Sequence, residues 1–393
     1  MKILVGITGC IALYKVAELV SSLRKSGNEL KIVMTQSAQR LVSKDLFSAV
    51  GNCEVYTDSD AFEIKNGFIP HTELSKWPDV LVIAPATANT VAKIAHGIAD
   101  NLLTMTCLAY SGDKKLLVPA MNYRMYENAA TQSNLQVLRD RGWWVLEPST
   151  GHLACGEFGK GRYPENEIVQ EAIEILGSEK PLKGMKLLVT AGPTWESIDP
   201  VRIISNRSSG KMGYEIAKVA VRLGASVTLI SGPTCLRTPH FVDEVVKVES
   251  AQQMFDAVIQ RLEQINAVVM AAAVADYTPV SVSENKIKKD SQQLSISLKK
   301  TIDILKYIGE QKKDKILVGF AVETDSLEEY AKEKLMKKNL DMIVANEVQA
   351  MGSDQNNVII FKKDGTVKRV GPDEKSRIAL AILSELAELW NKS

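Results

Sequence analysis

The chain has 393 residues, enough for two or three domains that each bury a core. Hydrophobic residues make up 45% and charged residues 24%, and the formal net charge of +1 excludes a global field that would gather nucleic acid or an anionic membrane. The five cysteines (Cys10, Cys53, Cys107, Cys155 and Cys235) are odd in number and hold no CxxC pair, so neither a disulfide framework nor a zinc cluster fits, and a reducing cytoplasm is expected.

The chain opens with an apolar strand, 2–6, that breaks into Gly6-Ile-Thr-Gly9. The Ile7-to-Cys10 stretch resembles a lipoprotein cleavage box, but the apolar core before it is minimal. An amphipathic helix carrying Val16, Leu19, Val20 and Leu23 follows, so a strand and its loop are expected. No run of about 18 apolar residues occurs, and no membrane span is expected. The pattern continues as helix 11–25, strand 30–34, helix 37–43 and a less regular stretch to about Lys65. Then come strand Val80–Ala84, helices 90–96 and 100–110, strand Leu116–Pro119, helix 128–140 and strand Trp143–Glu147. Strands alternating with helices predict a parallel, doubly wound sheet.

Ligands of such sheets bind outside the carboxyl ends of the strands, here the loops Gly6–Cys10, Thr35–Ala38, Ala84–Thr90 and Pro119–Asn122. Their small hydroxyl, amide and glycine residues suit a phosphate and a flat heterocycle. Gly6-x-x-Gly9 lacks the spacing of a dinucleotide fingerprint, which favours a mononucleotide such as FMN. His71, Asn122 and Cys155 are the candidates for chemistry. A loop histidine, a helix cap and a small buried apolar residue are the ordinary uses of those residue types. Cys155, however, is flanked by Gly151, Gly156, Gly159 and Gly161, a composition that suits a mobile lid better than a core.

The segment from Leu176 to Gly184 is short, polar and broken by Gly and Pro, and reads as a boundary: a first domain over 1–177, a linker over 178–185 and a second domain over 186–393. The second part runs strand 186–190, helix 211–223, strands 226–230 and 244–248, helix 251–263 and strand Ala267–Ala271. It continues with helix 301–308, strand Ile316–Ala321, helix 326–337 and strand Met342–Asn346. Val358–Lys362 and Thr366–Val370 flank Asp364-Gly365 as a hairpin, and a helix from Glu374 to Leu389 closes the chain. The strand at Lys186, the loop Ser208-Ser-Gly-Lys211 and the helix after it make an anion site, because free N–H groups and the helix dipole point the same way. It is not a P-loop: Met212 stands where Ser or Thr would hold magnesium, and Ser205 where the first Gly would be.

Four motifs of the first half, Gly9-Cys-Ile-Ala-Leu-Tyr-Lys15, Ala84-Pro-Ala-Thr-Ala-Asn89, Pro119-Ala-Met-Asn122 and Ala154-Cys-Gly-x-x-Gly-x-Gly-Arg162, resemble in order those of the homo-oligomeric flavin-containing cysteine decarboxylases. In the second half, Ile204-Ser-Asn-Arg-Ser-Ser-Gly-Lys-Met-Gly213, Ala271-Ala-Ala-Val-Ala-Asp276, Lys286-Ile-Lys-Lys289 and Val318-Gly-Phe-Ala-Val-Glu-Thr324 resemble the phosphopantothenate–cysteine ligases. Across essentially its whole length the chain is similar to the bacterial bifunctional phosphopantothenoylcysteine decarboxylase / phosphopantothenate–cysteine ligases of coenzyme A synthesis. The resemblance implies an α/β fold of two doubly wound domains, a flavodoxin-like decarboxylase domain followed by a Rossmann-like ligase domain. It implies FMN and Mg2+ as cofactors, phosphopantothenate, cysteine and CTP as substrates, and a homo-oligomer with trimers of the first domain and dimers of the second.

For the first half, the resemblance implies that FMN oxidises the substrate thiol to a thioaldehyde, an electron sink for loss of the neighbouring carboxylate. His71 would be the base, Asn122 would hold the carboxylate and Cys155 would return a proton. Gly9, Cys10, Ile11, Thr35, Ser37, Ala86, Thr87 and Asn89 would hold the flavin. Relatives often have Ser at the position of Cys10 and Trp at that of Tyr126. In the second half, phosphopantothenate would attack the α-phosphate of CTP, and cysteine would displace CMP from the acyl-cytidylate. Met270, Ala271, Ala272, Asp276, Lys286, Thr301, Ile302, Asp303, Ile304, Phe320, Lys334 and Lys338 would lie at the nucleotide, and Asn206 at the acyl-cytidylate. Lys286 would act from a flexible loop that closes over substrate. Lys288, Lys289, Lys299, Lys300 and 312–315 are read as solvated surface, and Lys334 and Lys338, i,i+4 on one helix, equally suit an exposed face. The metal ligands stay unassigned. An NAD(P)-dependent oxidoreductase and a non-catalytic regulatory subunit are the alternatives; the failed fingerprint opposes the first, and the presence of His71, Asn122 and Cys155 the second.

Overall fold

In the computed structural model, the residues described are 1–63, 67–154, 156–288, 294–323, 327–347 and 355–392. The chain divides into two compact units, Met1–Ser178 and Glu179–Ser393.

The first unit holds strands β1 (Lys2–Ile7), β2 (Glu29–Met34), β3 (Glu54–Thr57), β4 (Val80–Ala86), β5 (Lys115–Pro119) and β6 (Trp144–Val145) in one sheet of order β3-β2-β1-β4-β5-β6. Every pairing is parallel, so the chain winds outward in both directions from β1 and leaves a switch point between β1 and β4. All seven residues of β4 are buried, as expected of a strand covered on both faces. Helices α1 (Leu13–Lys25), α2 (Gln36–Gln39), α3 (Lys44–Gly51), α4 (Pro70–Lys76), α5 (Ala88–His96) and α6 (Leu102–Ala109) provide the crossovers. They are followed by α7 (Tyr123–Glu127), α8 (Ala129–Asp140) and α9 (Asn166–Gly177). Leu13, Val16, Leu19, Val20 and Leu23 form the buried stripe of α1.

Three stretches take a more definite form than the pattern predicts. The helix expected over 37–43 stops at Gln39, and α3 begins afresh after Ser43, whose Oγ accepts from Asp45 N–H at 3.2 Å. The stretch expected to be irregular holds α3 and β3. β3 is a four-residue edge strand with one fully buried side chain, too little alternation to read from sequence. The glycine segment read as a lid is an antiparallel ribbon of β7 (Ser149–His152) and β8 (Phe158–Arg162).

The second unit contains β9 (Lys186–Ala191), β10 (Trp195–Ser197), β11 (Ile203–Ser205), β12 (Ser226–Ser231), β13 (Glu244–Lys247), β14 (Ala267–Met270), β15 (Tyr277–Pro279) and β16 (Leu298–Lys300). It ends with β17 (Ile316–Glu323), β18 (Met342–Glu347), β19 (Gln355–Lys362) and β20 (Val367–Glu374). Its main sheet has the order β13-β12-β9-β14-β17-β18-β19-β20; the first six strands are parallel and the last two antiparallel. Gly365 at φ +90° makes the hairpin turn between β19 and β20. One face packs on α10 (Lys211–Arg222) and α14 (Lys375–Trp390), the other on α11 (Ala251–Ile259), α12 (Ile304–Gln311) and α13 (Leu327–Lys337). The helix expected over 301–308 starts at Ile304, because Asp303 caps it and accepts from Lys306 N–H at 3.0 Å. The helix expected over 251–263 ends at Ile259 and continues as a 3-10 turn, Leu262–Gln264. The pairs β10–β11 and β15–β16 are three-residue ribbons with no readable period.

Two buried charge clusters hold this unit. Asp199, in the β10–β11 turn, is 2% exposed and accepts from Arg202 Nε at 2.9 Å, Val201 N–H at 2.8 Å and Ile287 N–H at 3.1 Å. The Arg202 guanidinium and these N–H groups outweigh burial and hold the carboxyl well below the usual range. On the far edge, Lys362 and Glu385, each about 5% exposed or less at the side chain, form an ion pair that Glu388 (2.7 Å from Lys362) and Lys368 (2.7 Å from Glu385) extend. Burial alone would push Glu385 up; the two lysines outweigh it and hold the carboxyl down.

Removing one partner of a buried pair strands the other. Glu385→Ala should cost about 3–5 kcal/mol in urea unfolding, whereas an exposed pair such as Lys337–Glu333 should cost less than about 1 kcal/mol. The depressed Asp199 carboxyl stabilises the fold fully above the ordinary carboxylate pKa of about 4, and that contribution is lost as pH falls through its lower folded value. Thermal scans from neutral to acid pH should therefore fall more steeply for wild type than for Asp199→Asn; parallel curves would refute the assignment.

Candidate functional site

In the first unit the expected flavin residues gather at the carboxyl edge, around the switch point. Thr8, buried at the end of β1, donates its hydroxyl to Pro85 O at 2.6 Å and accepts from Thr87 N–H at 3.0 Å, tying the loop after β1 to the loop after β4. Thr35 N–H donates to Ile7 O at 3.0 Å, and the Thr35 hydroxyl caps α2 through Ala38 N–H at 3.4 Å. Ser37, in the first turn of α2, lies so close to Gly9 that a side chain there would collide with it. Thr87 caps α5 through Thr90 N–H at 3.4 Å, and Asn89 lies in the first turn of that helix. Ala86 pairs with Pro119 across β4 and β5. Cys10 and Ile11 follow in the β1 loop, where burial pushes the Cys10 thiol up, against a smaller opposing effect of Ala12 N–H. Thr8 was inside a loop the sequence flagged, but nothing in its spacing distinguished it.

His71 lies in the first turn of α4, and its Nδ1 is buried with no hydrogen-bond partner among the described residues. Such an orphaned acceptor or donor fits a site completed by a bound group. Asn122 caps α7 through Arg124 N–H at 2.9 Å, and its Nδ2 donates to Glu157 Oε2 at 2.8 Å. Ribbon strand β8 runs directly over this loop. Met121 N–H donates to Gly161 O at 2.9 Å, and a Cβ on Gly159 would stand 2.6 Å from Tyr123 Cβ. The glycines beside Cys155 therefore allow the ribbon to pack on the Asn122 loop. Cys155 itself lies outside the described residues. Tyr126 is buried and donates to Glu147 Oε2 at 2.8 Å.

In the second unit the carboxyl edge surrounds a cavity of about 840 Å3. Asn206, Met270, Ala271, Ala272, Asp276, Thr301, Ile302, Asp303, Ile304, Phe320, Lys334 and Lys338, drawn from five separate segments of sequence, all line it. Lys286 does not: it is exposed, on a segment pinned to the Asp199 turn by Ile287 N–H, Ile287 O and Ser283 N–H. The free-loop reading is corrected to that extent. Lys300, read as surface, lines the cavity. Lys334 and Lys338 are half-buried, unlike an ordinary solvated face; Lys334 Nζ donates to Phe320 O at 2.8 Å, and Lys338 lies 2.9 Å from Asp303 Oδ2. Burial would push Asp303 up, but Lys338, the Lys306 N–H and Lys334 hold it below its ordinary range.

The floor is a hydrogen-bonded backbone. Asn206 Nδ2 donates to Ala273 O at 3.0 Å, Ala275 N–H to Thr194 Oγ1 at 3.0 Å, Ala272 N–H to Thr190 Oγ1 at 3.2 Å and Thr301 Oγ1 to Ala275 O at 2.6 Å. Ser208, Ser209, Gly210, Lys211 and Gly213 bring the start of α10 to the same wall. A Cβ on Gly213 would stand 2.6 Å from Ala191 Cβ, so glycine is what lets that helix end approach β9. Lysines 211, 300, 334, 338 and 375 line the cavity together with Asp276 and Asp303, an excess of positive charge that suits a polyanion. Asn346 and Lys375, which the sequence reading missed, also line it; Asn346 ends a strand the pattern had located, so the carboxyl-end rule was its available signal.

Among the described residues, no group of three or more His, Cys, Asp and Glu could hold a metal, and no helix is long and apolar enough to cross a membrane.

Residues 1–176 match the family described as Flavoprotein, and residues 182–389 match the DNA/pantothenate metabolism flavoprotein C-terminal domain. The coenzyme A biosynthesis bifunctional protein CoaBC of Bacillus subtilis is 45% identical over 99% of this chain and 97% of its own length. The Haemophilus influenzae protein of the same name is 42% identical over 100% and 98%. A solved C-terminal domain of a coenzyme A biosynthesis bifunctional protein CoaBC is 46% identical, with a TM-score of 0.49 over 55% of this chain and 100% of that one. The chain belongs to the family of bifunctional coenzyme A biosynthesis proteins, a flavoprotein unit followed by a pantothenate-metabolism unit.

Proposed function

We infer that the chain catalyses two consecutive steps of coenzyme A assembly. The second unit ligates phosphopantothenate with cysteine, and the first unit decarboxylates the phosphopantothenoylcysteine so formed and yields phosphopantetheine. The observation that carries this reading is the convergence of Asn206, Asp276, Phe320, Lys334 and Lys338 on one lysine-rich cavity.

In the ligase cavity, Lys334, Lys338 and the start of α10 bind the phosphates of CTP, and they stabilise charge that builds on the α-phosphate as the phosphopantothenate carboxylate attacks. That attack joins carboxylate oxygen to phosphorus and expels pyrophosphate. The cysteine amine then forms the C–N bond, the acyl C–O bond breaks, CMP leaves with its electron pair and the amine proton passes to solvent. Asp276 and Asp303, on the cavity wall, would hold Mg2+ beside the substrate phosphates, where it would neutralise their charge. Asn206 orients the acyl group from its anchored position on Ala273 O. Lys286, outside this cavity, reaches a bound nucleotide only if its segment closes inward over the pinned base.

In the first unit, the Thr8–Pro85–Thr87 junction and the first turns of α2 and α5 hold FMN. When bound, FMN supplies the two-electron oxidation of the substrate thiol end and the later reduction. His71 takes the substrate proton at an imidazole nitrogen. Asn122 orients the substrate carboxylate through Nδ2, in the place where Glu157 now accepts. Cys155 returns a proton to the product carbon. The exposed apolar side chains Ile11, Tyr14, Leu108 and Phe158 support self-association of the first unit; trimers of that unit, dimers of the second and work in the cytoplasm rest on the family resemblance.

Protein supplied with FMN should acquire a bound-flavin absorbance band, and colourless protein after dialysis would overturn the first-unit reading. Cys155→Ser should still release carbon dioxide yet form phosphopantetheine about 10²-fold more slowly or worse; unimpaired turnover would remove its proton-donor role.

A further inference from the structure

Two polar residues of the ligase cavity, Asn346 and Lys375, stand outside the set assigned to the nucleotide. β18 alternates between the two cores: Met342 and Val344 face α10 and α14, while Ile343 and Ala345 face α11–α13. Asn346, next in that alternation, is therefore on the α10–α14 side, opposite α12, which Asp303 caps, and α13, which carries Lys334 and is followed by Lys338. Asn346 lines the cavity, and its Oδ1 is buried with no hydrogen-bond partner among the described residues. Lys375, the first residue of α14, lines the same cavity and is only 7% exposed. A buried acceptor that needs a donor and a buried cation are the complement of an amine and a carboxylate.

We propose that Asn346 and Lys375 form the amino-acid subsite of the ligase: Asn346 Oδ1 accepts an N–H from the α-amine of cysteine, and Lys375 pairs with its α-carboxylate. This rests on the ligase reading above. The chemistry requires two ligands in one cavity, and Asp303, Lys334 and Lys338 of the nucleotide set belong to the α12 and α13 side. A neutral amide is the suitable acceptor, because a carboxylate there would favour the ammonium form and withhold the lone pair that attacks the acyl carbon. The start of α14 adds the positive end of a helix dipole beside the carboxylate.

The test separates the two half-reactions in the full chain. Exchange of labelled pyrophosphate into CTP, with phosphopantothenate and magnesium but no cysteine, reports acyl-cytidylate formation and an intact cavity. Asn346→Ala should raise the KM for cysteine about tenfold or more while exchange persists. Lys375→Met should erase the preference of wild type for cysteine over cysteamine, which lacks the carboxylate. If exchange persists and both the cysteine KM and the cysteamine preference stay within about twofold of wild type, the subsite is refuted. Loss of exchange in both variants refutes it too, because those groups would then serve the nucleotide step. Absence of exchange in wild type overturns the ligase reading and the subsite with it.

Discussion

A parallel sheet covered on both faces can place polar chemistry at only one edge. Its faces are filled by apolar side chains, and at its carboxyl ends the chain turns into helices whose first N–H groups are unpaired. Both units obey this constraint. In the first, Thr8 knots the loops after β1 and β4 at the point where winding reverses. In the second, the backbone from Met270 to Asp276 forms a floor tied to Thr190, Thr194, Asn206 and Thr301, with α10 starting at its rim. The same geometry gives a cluster of small hydroxyl and glycine residues in one unit and a lysine-lined cavity in the other.

What differs is how each unit completes its site. The first uses a ribbon: β8 has glycine where it crosses the Asn122 loop, so backbone meets backbone and Glu157 reaches the Asn122 amide. The second uses buried charge. Asp199 satisfies three backbone N–H groups and the Arg202 guanidinium, and one of those N–H groups belongs to Ile287. The segment bearing Lys286 is thereby fixed at its base while its charged residue stays outside. The Lys362–Glu385 cluster holds the antiparallel edge to α14, whose first residue, Lys375, enters the cavity wall. Stability and site geometry share these elements.

Long periodic elements were legible from sequence. The stripe of α1, the buried run of β4 and the Asp364-Gly365 hairpin all have strong patterns. Short ones were not: β3, the β10–β11 and β15–β16 ribbons and the break between α2 and α3 depend on tertiary partners that no local period encodes. The start of α12 moved by three residues because a side-chain cap at Asp303 outweighed the apolar pattern. Motif resemblance named the residues around the cavity, but spacing could not reveal that Lys334 and Lys338 turn inward, nor that Lys300 and Lys375 face the same space. Asn346 lay at the end of a correctly placed strand and was passed over because a lone asparagine has no signature.

The central claim is that one polypeptide makes a molecule in its second unit and consumes it in its first. The direct test is to incubate FMN-loaded protein with phosphopantothenate, cysteine, CTP and magnesium, and to follow all species by mass spectrometry. The account predicts that phosphopantothenoylcysteine appears transiently and phosphopantetheine accumulates, one carbon dioxide and one CMP being formed for each. Phosphopantothenoylcysteine that persists undiminished, or that never forms, would contradict it.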